Sequence, residues 1–339
     1  RAGQPGPGRC RQLRKAGRHV VSRDTLTAAD LARRDRPPQL QGKPRYGEKI
    51  IKAVLAVCAA LSVATTVAIV VSLVGPALQF FQTVAPLDFL FGTRWSPSFV
   101  PESFGVLPLI AGTLSVVLWG LLAAIPLGLG AAIYLSEYAP DWVRKIVKPI
   151  LEVLEGVPTV AFGFFAFSFI TPLLQDHWPE FLGQGPNVFN AGAAGLAIGL
   201  LIVPIIASIS HDAMSAVPQG LRNGAYALGA SRARVSVRVV FPAALSGIVA
   251  AIVLGVSRAI GETMVVLMAA GNSPNLDITF TESIQAMTAY IGVTATGDIA
   301  TGTIEYDTIF AVGLLLFVMT LAMNAISIRL VRKYRQVYE

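Results

Sequence analysis

Residues 243–270 read AALSGIVAAIVLGVSRAIGETMVVLMAA, and Arg258 and Glu262 are the only charged residues among them. An apolar run of this length exceeds the ~20 residues that cross a hydrocarbon core. At ~1.5 Å of rise per residue, and with Ala243 at one edge, Arg258 lies about 22 Å into a core about 30 Å thick. An ionisable group at that depth costs at least ~2.5–3.5 kcal/mol on insertion scales, so it faces protein or water. Arg258 and Glu262 are four residues apart, share a helix face and can pair. Gly255, Ser257 and Gly261 thin the helix for close packing. Two readings of the pair stand. It is a structural ion pair that fixes this helix against its neighbours, or Arg258 lines the route of an anion while Glu262 holds it, with Thr263 beside them. A guanidinium grips tetrahedral oxyanions through two parallel hydrogen bonds, whereas a cation route would show an unpaired acid.

The same reading extends outward. Further apolar stretches occupy residues 53–74, 106–135, 157–174, 191–209 and 309–328, which makes six transmembrane helices in an all-α membrane protein. Residues 53–74 end before Gly75-Pro76. Residues 106–135 are too long for one perpendicular crossing, so they bend at Pro126 or project past the bilayer. An amphipathic lead-in from Trp142 precedes 157–174. Of the 339 residues, 54% are hydrophobic and 14% charged, and the mean hydropathy is +0.62. Soluble domains carry about 25% charged residues.

Charge sets the orientation. Alternate connections divide Lys and Arg 25 to 1, with Arg94 the lone exception and Arg258 inside a span. The positive-inside rule then places both termini in the cytoplasm of a multi-pass plasma-membrane protein. Residues 1–49 form a separate cytoplasmic basic tail without the apolar core of a secretory leader. It is disordered or holds a short helix capped at Thr27 and stopped by Pro37-Pro38. The remainder, 50–335, holds the six spans. The excess of positive charge is explained by basic loops and implies no nucleic acid.

Much chemistry is missing from the chain. No stretch fits G-x-x-x-x-G-K-[ST], the phosphate-cradling loop of nucleotide-binding proteins, and Gly42-Lys43 is followed by proline. His19, His177 and His211 lack metal-ligand spacing, so no metal site is expected. Cys10 and Cys58 form no disulfide framework. The chain is therefore not read as an enzyme and has no cofactor of its own. Energy comes from an ion gradient or from another protein. A secondary transporter normally carries internal repeats, and none is evident.

The connection 217–242 holds the most specific spacing: Asn223-Gly224-Ala225, three residues, Gly229, nine residues, then Val239-Val240-Phe241-Pro242. Physically this is a short small-residue helix, a turn at Gly229 and a basic stretch (Arg232, Arg234, Arg238) leading into the fifth span. A plain basic loop would satisfy the positive-inside rule equally well. The spacing resembles the E-A-A–x3–G–x9–I-x-L-P signature by which ABC importer permeases dock a separate ATPase. Asn223 stands in place of the usual Glu and Gly224 in place of the first Ala.

The run Ser257–Met264 resembles the R-A-x-G-E-T segment of phosphate-specific transport permeases. The stretches Gly105–Leu114, Glu155-Gly156-Val157-Pro158 and Glu305-Tyr306 are similar to their C-type subunit, PstC. This resemblance implies a type I ABC importer permease fold and half of a translocation pathway for inorganic phosphate. It implies a second, A-type permease, an ATPase dimer that binds ATP and Mg, and an external phosphate-binding protein. In that setting the 223–229 helix passes movement to the fifth span. Glu155, at the mouth of the third span, contributes to a gate or is a plain interfacial carboxylate, and Asp212 is a solvated loop charge. The rivals are the A-type permease itself, a sulfate or molybdate ABC permease, an ion-gradient-driven transporter, and a non-transporting phosphate-signalling scaffold.

Overall fold

The computed structural model describes residues 46–334. The expectations for the basic tail before residue 46, and for the last five residues, fall outside the described residues. The chain divides into two compact units, Arg1–Val63 and Ala64–Glu339. Within the first, the described part is the beginning of helix α1 (Tyr46–Thr83), with every side chain from Glu48 to Val63 exposed. The second unit holds the remaining described elements.

Helix α1 continues through Gly75-Pro76, where the sequence suggests a stop. Proline removes one helix hydrogen bond, but Ala77 and Phe80 just beyond it are fully enclosed, and their packing keeps the helix going. There follow α2 (Pro86–Phe91) and a two-residue antiparallel ladder of β1 (Trp95–Ser96) and β2 (Ser103–Phe104). Phe80, Phe81, Phe89 and Phe104 meet edge to face at 5.3–5.5 Å, an arrangement favoured by the ring quadrupole. Trp95 stands on Tyr290 at 4.9 Å. The Tyr290 hydroxyl donates to Thr308 Oγ1 at 2.5 Å, and burial pushes its phenol above the usual range. These connections are packed structure, not free loops.

Helix α3 (Leu107–Ile133) runs through Pro126 and on into a π-helical turn, Tyr134–Tyr138. The 32 residues together span about 48 Å at ~1.5 Å per residue. α4 (Asp141–Glu155) is the amphipathic lead-in. α5 covers Thr159–Asp176 and carries a π-helical turn at Ala166–Ile170. α6 (Ala191–Ser215) starts at Asn190, whose side chain accepts the Ala193 N–H at 2.6 Å, the N-cap arrangement. It extends beyond the expected end, so His211 and Asp212 are helical.

α7 (Gln219–Ala227) is followed by α8, Arg232–Ala243, which contains a π-helical turn at Ser236–Val240. After a 71° bend comes α9, Leu245–Ile260. Then come α10 (Met264–Ala269), α11 (Met287–Thr296) and α12 (Ile304–Tyr334). Among the described residues five helices (α1, α3, α5, α6 and α12) are long and apolar enough to cross a membrane. The bent pair α8–α9 makes a sixth if it counts as one span.

The centre of the bundle is the α3–α6 contact. A Cβ on Gly195 would lie 2.6 Å from Trp119 Cβ, and one on Gly199 would lie 2.8 Å from the Gly120 carbonyl. Small residues let two helices approach this closely where water gives no hydrophobic drive. α9 joins by the same device, because a Cβ on Gly255 would meet Ile202 Cγ2 at 2.7 Å. Ser257 instead donates to Asn324 Oδ1 of α12 at 2.9 Å, and the space around Gly261 is open. Among the described residues, Gly255 is the one of the three small residues expected to thin this helix that meets a neighbouring helix closely.

Residues 243–270 do not form one helix. α9 ends at Ile260, and α10 starts at Met264. The break falls on Gly261, Glu262 and Thr263, where a residue without a side chain meets a carboxylate that competes for the backbone.

Candidate functional site: a guanidinium at a broken span

The break determines the chemistry of Glu262. Its side chain is 2% exposed. Oε2 accepts from Arg258 Nη1 at 2.9 Å, and Oε1 accepts from the Val265 N–H at 3.4 Å, one of the unpaired donors at the start of α10. The Glu262 carbonyl accepts from Thr288 Oγ1 of α11 at 2.7 Å. A buried charge needs such partners, and this carboxylate and its backbone have four, the Glu262 N–H donating to the Ala259 carbonyl at 3.1 Å.

Arg258 differs. Its side chain is 40% exposed, and Glu262 is its hydrogen-bond partner among the described residues. One nitrogen of the guanidinium is held by the buried carboxylate, and the side chain is otherwise partly open. Thr263 is half-buried beside it, its hydroxyl donating to the Gly261 carbonyl at 3.4 Å. Arg258 and Glu262 thus come together, and Thr263 follows Glu262 in the same break. Glu155 does not join them. It is exposed at the end of α4, with no hydrogen bond or ion pair among the described residues.

The 223–229 segment is a helix followed by a left-handed glycine. Gly229 has φ +76°. The Gly229 N–H donates to the Tyr226 carbonyl and the Ala230 N–H to the Ala225 carbonyl, a Schellman closure that glycine permits. Asn223 and Gly224 are exposed, and a Cβ on Gly224 would meet nothing. Tyr226 and Leu228 are exposed too, Leu228 by 90%. Pro242 is exposed near the end of α8.

Several contacts at this end were not singled out from sequence. Arg222, next to Asn223, is buried and pairs with Glu137 of the α3 terminal turn at 2.5 Å. Arg232 lies over the Tyr138 ring at 5.2 Å. Asp212, expected as a solvated loop charge, pairs with Lys148 of α4 at 2.7 Å. One signal was available: Glu137 is an acid two positions after an apolar run of 30 residues.

The family described as "Binding-protein-dependent transport system inner membrane component" matches residues 124–336. The Bacillus subtilis "Probable ABC transporter permease protein YqgH" is 35% identical over 79% of this chain and 86% of its own length. The Haemophilus influenzae "Phosphate transport system permease protein PstC" is 32% identical over 85% of this chain and 94% of its own length. Among solved structures, a bacterial ABC transporter involved in importing alginate is similar in fold. Its TM-score is 0.56 at 16% identity, over 86% of this chain and all of the other. The chain belongs to the inner membrane components of binding-protein-dependent transport systems, as a permease of the PstC type with the type I ABC importer fold.

Proposed function

We infer that this chain forms one half of the translocation pathway of an ATP-driven importer of inorganic phosphate. The observation that carries the reading is the part-exposed guanidinium of Arg258, held at 2.9 Å by a buried carboxylate. Planar N–H forks suit tetrahedral oxyanions, and an exposed Arg inside a span needs water or protein opposite it. An A-type permease opposite would close the pathway. Relatives named for phosphate transport favour phosphate over sulfate or molybdate as the anion. Thr263 adds a hydroxyl at the same level, and Glu155 belongs to the inner mouth.

In this reading both termini are cytoplasmic, and α7 docks a separate ATPase dimer. The surface offered to it is Asn223, Gly224 and Ala225, closed by Gly229 and followed by Pro242. ATP and Mg bind to that dimer, and the hydrolysis belongs to it. A phosphate-binding protein delivers the anion from outside. Lipid covers the remaining apolar helix faces, and no nucleic acid is involved. Co-expression with the candidate ATPase and reconstitution into vesicles tests this. ATP-dependent phosphate uptake that sulfate does not displace supports the reading. Uptake driven by an ion gradient without an ATPase would refute it.

A further inference from the structure

Helix α7 carries one buried side chain, and the half-buried Ala225 packs beside it against the cluster around Met214, Val235 and Val240. Arg222 is its one buried residue, while its other described residues are exposed or half-buried. The Arg222 guanidinium has two partners on two other helices. Nη1 donates to Glu137 Oε1 at 2.5 Å, and Nη2 donates to the Met214 carbonyl at 2.7 Å, in the last turn of α6. Side-chain exposures of 10% and 3% place Arg222 and Glu137 out of solvent. Ser136 Oγ adds a third contact, donating to Glu137 Oε1 at 3.0 Å. Arg144 of α4 steadies the same turn by donating to the Leu135 and Ser136 carbonyls at 2.7 and 3.0 Å.

The covalent route from α7 to the broken span is poorly suited to carrying force. It passes the left-handed turn at Gly229, where an added Cβ would meet nothing, and then the 71° bend before α9. The route through Arg222 meets no such break. It reaches the ends of α3 and α6, which interlock through Gly120, Gly195 and Gly199, and α6 meets α9 at Ile202 and Gly255, three residues before Arg258. A packed chain of this kind has few continuous ways to deform.

We propose that Glu137 and Arg222 are the positioning pair that couples the ATPase-docking helix to the transmembrane helices, so that α7 drives α3 and α6 directly and reaches the Arg258 segment through them. The proposal rests on the reading of α7 as the docking helix. The pair acts by geometry and touches neither phosphate nor nucleotide. A π-helical turn at Tyr134–Tyr138, a feature often found at functional sites, supplies the acidic partner.

The test uses the complete complex in vesicles, comparing wild type with Glu137→Gln. Three quantities are read: ATPase subunit retained on purification, basal ATP hydrolysis, and the stimulation of hydrolysis by phosphate-loaded binding protein. The expected result is normal retention and basal hydrolysis, with stimulation and uptake reduced by about tenfold or more, within the range of measured coupling energies. Stimulation within about twofold of wild type overturns the proposal, as does loss of the ATPase subunit from the variant alone, which would make the pair a docking element. If Glu137→Gln yields no complex, Arg222→Lys replaces it under the same criteria. Failure of both to assemble assigns the pair to folding and also overturns the proposal. If wild type itself retains no ATPase subunit, the docking reading falls and takes this proposal with it.

Discussion

Arg258 and Glu262 form an ion pair at 2.9 Å in which the acid is 2% exposed and the base 40%. The asymmetry separates their tasks. Glu262 also receives the Val265 N–H, so the carboxylate closes the start of α10 while it aims the guanidinium. Removing it therefore damages both structure and function, whereas removing Arg258 leaves a carboxylate that still caps a helix.

Glu262→Ala is expected to destabilise the protein by about 1–3 kcal/mol, because the Val265 donor and the guanidinium both lose a buried acceptor. Glu262→Gln keeps an acceptor oxygen and costs less. Thermal melting of the purified complex checks the order Ala below Gln below wild type. Equal melting of all three would contradict the double role.

Gly195→Val is expected to prevent normal assembly or to lower stability by about 1–3 kcal/mol or more, the usual range for overpacking. The Cβ it introduces would lie 2.6 Å from Trp119 Cβ. Expression level and melting temperature report the effect, and a wild-type melting curve would show that α3 and α6 do not meet there.

Gly224→Trp should leave the fold intact, since nothing lies near that position. On the docking reading it weakens ATPase retention by about tenfold, equivalent to ~1.4 kcal/mol. Pull-down against the ATPase subunit measures this, and unchanged retention would remove Gly224 from the contact surface.

Asp212→Asn is expected to change stability by no more than about 1 kcal/mol. Its partner Lys148 and the acid itself are 37% and 58% exposed, and such pairs contribute little. A large loss of stability would mean that the pair is shielded in the assembled complex.

The apolar runs made the membrane class and most of the helices legible, because lipid demands long uninterrupted stretches. Two features misled. Pro76 reads as a stop, and only the burial of Ala77 and Phe80 keeps α1 running past it. Residues 243–270 read as one span because Glu262 and Gly261 are too few to dent the hydropathy. The break there depends on hydrogen bonds to Arg258, Val265 and Thr288 that no window average registers. The i, i+4 spacing did announce the Arg258–Glu262 pair. The Glu137–Arg222 pair joins residues 85 apart, a distance at which spacing carries no information. Helix α11 was likewise hidden in a connection rich in Thr, Gly and Asp.

The most direct measurement is phosphate uptake by vesicles containing the full complex with Arg258→Gln, alongside ATPase retention and melting of the same preparation. Uptake at background in a complex that still assembles and retains its ATPase subunit, with melting lowered only by the loss of the buried carboxylate's ion pair, is the predicted result. Wild-type uptake by that variant would contradict the assignment of this guanidinium to the anion's route.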